Sequence, residues 1–146
     1  MKKITTLALL VCAFASCKKN DNPATNPGSS TPRSFTCTIN GVAFVADSAW
    51  YNNFNVGATN IFAVKGTGAS QQYFEINLNA QTATTYAIPA NAFTYLTSTT
   101  TYVGSAGSLS IGTYDMTNRK ISGTFTGITA GAVTISGGTF TNLPYK

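Results

Sequence analysis

From Phe35 onward, apolar side chains recur at every second position, in short runs separated by clusters of Gly, Asn, Asp, Ser and Thr. A period of two places them on one face of a β-strand. A helix would need a period near 3.6, and no stretch supplies one. Phe35, Cys37 and Ile39 form the first such face. Asn40-Gly41 follows, the pair best suited to a type I′ hairpin turn, because both central residues need positive φ. Pairing Ile39 with Val42 sets Cys37 opposite Phe44 and Phe35 opposite Ala46. Turn chemistry and hydrophobic phase then give one register, with all these side chains on the same face.

The alternation continues through Trp50, Asn52, Phe54 and Val56, which predicts Trp50 and Phe54 in the core and Tyr51, Asn53 and Asn55 outside. Phe62 and Val64 precede a polar loop at 67–72, and Phe74, Ile76 and Leu78 follow it. A hairpin there sets Val64 opposite Ile76 and Phe62 opposite Leu78. Residues 84–88 read as a short strand ended by Pro89, which cannot donate to a ladder, and 93–101 as another strand. Further on, Leu109 and Ile111 lead to a loop at 116–120, and Ile121 and Phe125 return with Ile111 facing Phe125. Val133 and Ile135 then set Ile135 opposite Phe125. Phe140 falls out of phase with them, and Gly137-Gly138 between them predicts a bulge that restores the phase. Gly-Thr-Phe-Thr occurs at 123–126 and again at 138–141, a likeness of neighbouring strands rather than a repeat array. Short strands joined by turns predict an all-β domain over 34–146, a single antiparallel β-sandwich or barrel of about 8–11 strands.

The residues before that domain follow another pattern. Lys2 and Lys3 precede an uncharged, mostly apolar run at 4–15, about as long as a signal-peptide core and too short to span a bilayer. Ala15-Ser16 then precede Cys17, and small residues suit signal cleavage there. This tripartite pattern predicts a signal peptide at 1–16, with Cys17 as the acylated first residue of the exported protein. Each buried CH₂ contributes ~0.8 kcal/mol, so two or more acyl chains anchor a protein without a transmembrane segment. Residues 18–33 hold three prolines and no large apolar side chain, which predicts a flexible tether from Cys17 to Arg33.

Charge sharpens this division. The formal net charge is +5, yet Lys2, Lys3, Lys18, Lys19 and Arg33 lie in the leader and tether, with Asp21. The domain carries Lys65, Arg119, Lys120 and Lys146 against Asp47, Glu75 and Asp115, so it is close to neutral. That argues against a nucleic-acid partner. With Cys12 in the leader and Cys17 acylated, Cys37 is left as the domain's single thiol, with no internal disulfide.

The segment Ser-Ile-Gly-Thr-Tyr-Asp-Met-Thr-Asn-Arg-Lys-Ile-Ser-Gly-Thr-Phe, with the later Val-Thr-Ile-Ser-Gly-Gly-Thr-Phe-Thr-Asn-Leu-Pro-Tyr, resembles the closing region of a family of small Bacteroidota lipoproteins. Ile-Asn-Gly-Val-Ala-Phe and the Ser-Cys-Lys-Lys start are similar too. The likeness covers most of the chain and is strongest over 108–145. It implies envelope location and a β-fold, and its motifs are turns and strands, so the only site it transfers is Cys17.

Candidate chemistry is sparse. The chain has no histidine, which removes Ser-His-Asp and Cys-His nucleophiles and a His base. Cys37 alternates with apolar neighbours and has no cation beside it in sequence, so it reads as packing. A carboxylate-dependent hydrolase would have to use Glu75 with Asp47 or Asp115, as paired carboxyl groups about 5–10 Å apart. Glu75 falls on the face opposite Phe74 and Ile76 and reads as solvated, while Asp115 adjoins a loop and Asp47 a strand end, where each reads as making turn hydrogen bonds. No residue cluster predicts a metal or cofactor. Trp50, Tyr51, Asn53 and Asn55 combine rings with amides, a set that can stack on sugars and bond their hydroxyls. The expectation is therefore a non-enzymatic lipoprotein anchored at the outer membrane, with a structural, interaction or glycan-binding domain whose partner is a glycan or an envelope protein.

Overall fold

The computed structural model describes residues 32–53 and 57–146. It is a β-sandwich of eleven strands, with no α-helix among the described residues. In chain order they are β1 (Ser34–Ile39), β2 (Val42–Val45), β3 (Ser48–Asn52), β4 (Thr59–Lys65), β5 (Gln72–Leu78), β6 (Thr85–Ile88), β7 (Ala92–Thr97), β8 (Thr101–Val103), β9 (Ala106–Asp115), β10 (Lys120–Ala130) and β11 (Val133–Pro144). One sheet has the order β2-β1-β11-β10-β9-β6 and the other β3-β4-β5-β7-β8. Neither closes on itself, so the choice between sandwich and barrel falls to the sandwich. The proposed leader and most of the tether, Cys17 included, lie outside the described residues.

The first hairpin forms in the register its turn dictates. Ile39 pairs with Val42 and Cys37 with Phe44, and the Ala46 N–H donates to the Phe35 carbonyl at 3.0 Å. Asn40 and Gly41 have φ of 48° and 82°, as the turn requires. Val42 departs from the expectation and is 70% exposed, at the start of an edge strand.

Phe35 is the centre of the core. Its ring lies 5.4 Å from both Phe74 and Phe125 and 6.3 Å from Phe44 and Phe140, so it joins four strands of the two sheets. Phe93 closes the group at 5.7 Å from Phe74 and 5.4 Å from Phe125. Each buried Phe contributes about 1.5–3 kcal/mol relative to exposure.

Several expected registers are corrected. In β3 and β4 the core faces are Ala49 and Tyr51, and Ile61 and Ala63; Trp50, Phe62 and Val64 point outward. Both faces of β4 are apolar, so alternation could not choose between them. The neighbouring β5 decides: Phe74, Ile76 and Leu78 are unambiguous, and Ile61 pairs with Ile76 and Ala63 with Phe74. Val64 meets Tyr73 and Phe62 meets Glu75, an odd shift from the expected hairpin. The strand expected over 93–101 is two, β7 and β8, with a turn between them.

On the last hairpins, Leu109 rather than Ile111 faces Phe125, and Ile128 rather than Phe125 faces Ile135. The reason is a run of bulges. One lies between Ser122 and Gly123, and Gly127 and Gly137 take φ of 63° and 59° at a common level of β10 and β11. The predicted Gly137-Gly138 bulge is present. The β1 register slips between Thr36 and Thr38, and inward positions step from Ile135 to Gly138 and Phe140.

Consecutive residues stitch the sheets at three points. Ala46 and Asp47 donate to Phe35 and Val64, Gly104 and Ser105 to Phe93 and Thr129, and Tyr145 and Lys146 to Arg119 and Tyr51. In each pair one N–H serves each sheet. The third stitch positions the site.

Candidate functional site

At that corner the end of β11 leaves β10, where Pro144 pairs with Lys120, and Tyr145 forms a parallel bridge with Tyr51 of β3. The β9–β10 turn at 116–119 overhangs the same corner. Between them lies a half-open cavity of about 230 Å³, lined by Tyr51, Asn53, Met116, Arg119 and Tyr145.

Tyr51 is 1% exposed. Its ring meets Tyr145 edge-on at 5.5 Å and Tyr114 at 6.0 Å. Its hydroxyl has no hydrogen-bond partner among the described residues. No completely buried side-chain nitrogen or oxygen among them lacks a partner, so this hydroxyl is reached by solvent, and Tyr51 is one of the residues that line the cavity. Burial raises the phenol pKa above its ordinary value, with Tyr114 and Tyr145 adding to the rise and Arg119 opposing it. The group is therefore a protonated donor at ordinary pH.

Asn53 is partly buried beside it. The Tyr114 hydroxyl donates to Asn53 Oδ1 at 3.0 Å and lies 2.9 Å from Thr59 Oγ1. With Oδ1 occupied, the amide presents its Nδ2 donors. Arg119 sits over the Tyr145 ring, Cζ 5.2 Å from the centroid, and has no carboxylate within ion-pair distance among the described residues. Its backbone φ is +52°, in the left-handed region where an L side chain is strained. Asp115 starts the same turn, and its oxygens accept from Asn118 N at 2.9 Å and Nδ2 at 2.7 Å. These bonds hold its carboxyl below the usual range.

The structure thus brings Tyr51 and Asn53 together and separates Trp50 from them. Trp50 stands on the outer face of its sheet, stacked on Phe62 at 5.5 Å and 24°, with Lys146 Nζ 4.7 Å from its centroid. Phe62 continues the row to Tyr73 at 6.0 Å. Ring and ammonium occupy the faces that would stack on a sugar, so the row reads as cross-strand packing. Asn55 lies outside the described residues. Sequence reasoning missed Arg119, Met116 and Tyr145, which are remote from β3 along the chain and meet it only through the β11 crossing.

The three carboxylates do not form a pair of the kind a hydrolase would use. Glu75 is on the outer face opposite Phe62 and accepts from Asn77 Nδ2 at 3.3 Å. Asp47, before β3, accepts from the Gly66 N–H at 2.8 Å. Two strands and three residues separate them, about 14 Å of backbone. Asp115 belongs to the other sheet.

Cys37 is 5% exposed, and burial pushes its thiol up to about 12, against a smaller opposite pull from Lys65. It is a packing residue. A smaller recess of about 140 Å³ lies between β2 and the β4–β5 hairpin, where Lys65 Nζ sits 5.4 Å from the Phe44 ring. Among the described residues no group of three His, Cys, Asp or Glu is placed to hold a metal, and no helix is long and apolar enough to cross a membrane. Comparison with protein-family models, curated proteins and solved structures gives no match.

Proposed function

We propose that the chain is an exported lipoprotein, held at the outer membrane by acyl chains on Cys17, and that its sandwich binds a small ligand without chemistry in the corner cavity. The anchor reading rests on the leader pattern that ends in Ala15-Ser16-Cys17. The binding reading rests on one observation: Tyr51, 1% exposed, lines the cavity, and its phenol has no hydrogen-bond partner among the described residues. Buried polar groups ordinarily find partners, and one left open to a recess is a vacancy a ligand can fill.

Amide NMR of the full chain in detergent, titrated with a panel of mono- and disaccharides and small organic acids, tests the binding. Shifts should gather at Tyr51, Asn53 and Arg119. Shifts gathered at Trp50 and Phe62 instead would move the site to the outer face. For the anchor, Cys17→Ala should abolish fatty-acid labelling and release the chain from the membrane fraction; undiminished labelling would sink that half of the proposal.

A further inference from the structure

The corner cavity gathers hydrogen-bond donors around one cation. Tyr51 offers a protonated hydroxyl, Asn53 its amide, and Arg119 a guanidinium with no carboxylate within ion-pair distance among the described residues. Asn53 Oδ1 already accepts from Tyr114, and each Asp115 oxygen accepts from Asn118. A neutral sugar could bond the Tyr51 and Tyr145 hydroxyls, which accept as well as donate, but it brings no charge to the guanidinium. An anion that only accepts matches both the donors and the cation.

We infer that the ligand is a small carboxylate, with its oxygens held by Arg119, Tyr51 and Asn53. This rests on the cavity being the binding site, as proposed above. A guanidinium presents parallel N–H groups at the spacing of carboxylate oxygens. Phosphate fits less well. It brings no apolar body to lie against Met116 and the tyrosine rings that line the cavity. At about 230 Å³ the recess is below the range for drug-sized ligands, so the body attached to the carboxylate is about one sugar or aromatic ring. Met116, 58% exposed, supplies an apolar wall for it.

The test is calorimetry and amide NMR on the full chain in detergent, with glucuronate, benzoate, glucose and inorganic phosphate as probes. At least one carboxylate should bind saturably, with glucose silent and phosphate weaker. Tyr51→Phe keeps the ring and should weaken binding about ten-fold while leaving the unfolding midpoint at or above that of the parent chain. Arg119→Asn suits the left-handed backbone and should weaken binding roughly ten- to a hundred-fold, and Arg119→Lys should recover only part of the loss. Glucose binding with the same Tyr51 dependence would overturn the carboxylate and keep the site. Silence of all probes at the cavity residues would overturn both. Phosphate binding more tightly than either carboxylate, or carboxylate affinity unchanged in Arg119→Asn, would also overturn the inference.

Discussion

Tyr51 and Tyr145 meet edge to face, ring centroids 5.5 Å apart and planes at 81°, at the bridge where the chain crosses from one sheet to the other. The contact has two consequences. It closes one corner of the sandwich, together with the 2.9 Å bond from the Lys146 N–H to the Tyr51 carbonyl. It also sets the wall against which Arg119 lies. In the proposed binding mode, packing and ligand recognition share a residue and separate only by atom: the Tyr51 ring is core and its hydroxyl would meet the ligand.

The inverted phase of β3 predicts unequal truncations of adjacent residues. Tyr51→Ala should destabilise by about 3–5 kcal/mol, the range for a large aromatic lost from a core. Trp50→Ala removes a partly exposed ring from an outer-face row and should cost about 1 kcal/mol. Urea denaturation of both variants checks this, and a larger loss at Trp50 would contradict the observed face.

Cys37 predicts a pH dependence of stability. Its thiol rises from 9.0 to about 12 on folding. Below 9.0 the thiol is protonated folded or unfolded, so its contribution is fully present. As pH rises from 9.0 toward 12 the unfolded chain ionises first and stability falls. Tyr73, also raised to about 12 by burial, titrates in the same window. The quantity to measure is therefore the difference between the parent chain and Cys37→Ala. The parent should lose more stability than the variant across that window, and an equal loss would remove Cys37 from the account.

Asp115 gives the opposite sign. Its carboxyl is held low, first by the Asn118 backbone N–H and then by the Asn118 side chain. A depressed carboxyl contributes stability above its unfolded pKa and loses it as pH falls through the folded value. Asp115→Ala should be less stable than the parent at neutral pH, and the gap should close below the ordinary aspartate pKa of about 3.9. Thermal unfolding at a series of pH values measures it. A gap that persists in acid would assign the effect to turn geometry instead of charge.

How much of this was legible in the sequence depended on whether a strand has one apolar face or two. Phe35, Cys37 and Ile39 alternate with Thr, so the register of the first hairpin was readable, although Val42 is exposed. Ile61, Phe62, Ala63 and Val64 form a continuous apolar run, and only pairing with β5 selects its inner face. Bulges set the limit on β10: Gly127 takes positive φ, Phe125 and Ile128 both point inward, and period-two counting fails between them. The cavity was half legible. Tyr51 and Asn53 were singled out as an aromatic-amide pair, but Arg119 reaches them through a crossing that no local pattern encodes.

Gly138 supplies a last prediction, in which space and backbone conformation act separately. It lies inward on β11, opposite Phe125, and a Cβ added there would run into the Phe125 ring. Phe125 cannot easily yield, because Phe35 and Phe93 hold it at 5.4 Å each. Gly138→Ala should therefore destabilise by about 1–3 kcal/mol through overpacking. Gly127 is the control, with open space around its missing Cβ but φ of +63°. Gly127→Ala should lose about 1–2 kcal/mol from backbone strain alone. Adding Phe125→Leu makes room at Gly138, so the second substitution should recover part of the loss in Gly138→Ala and none in Gly127→Ala. Recovery in both, or in neither, would mean that the Phe125 ring is not what excludes a side chain at Gly138.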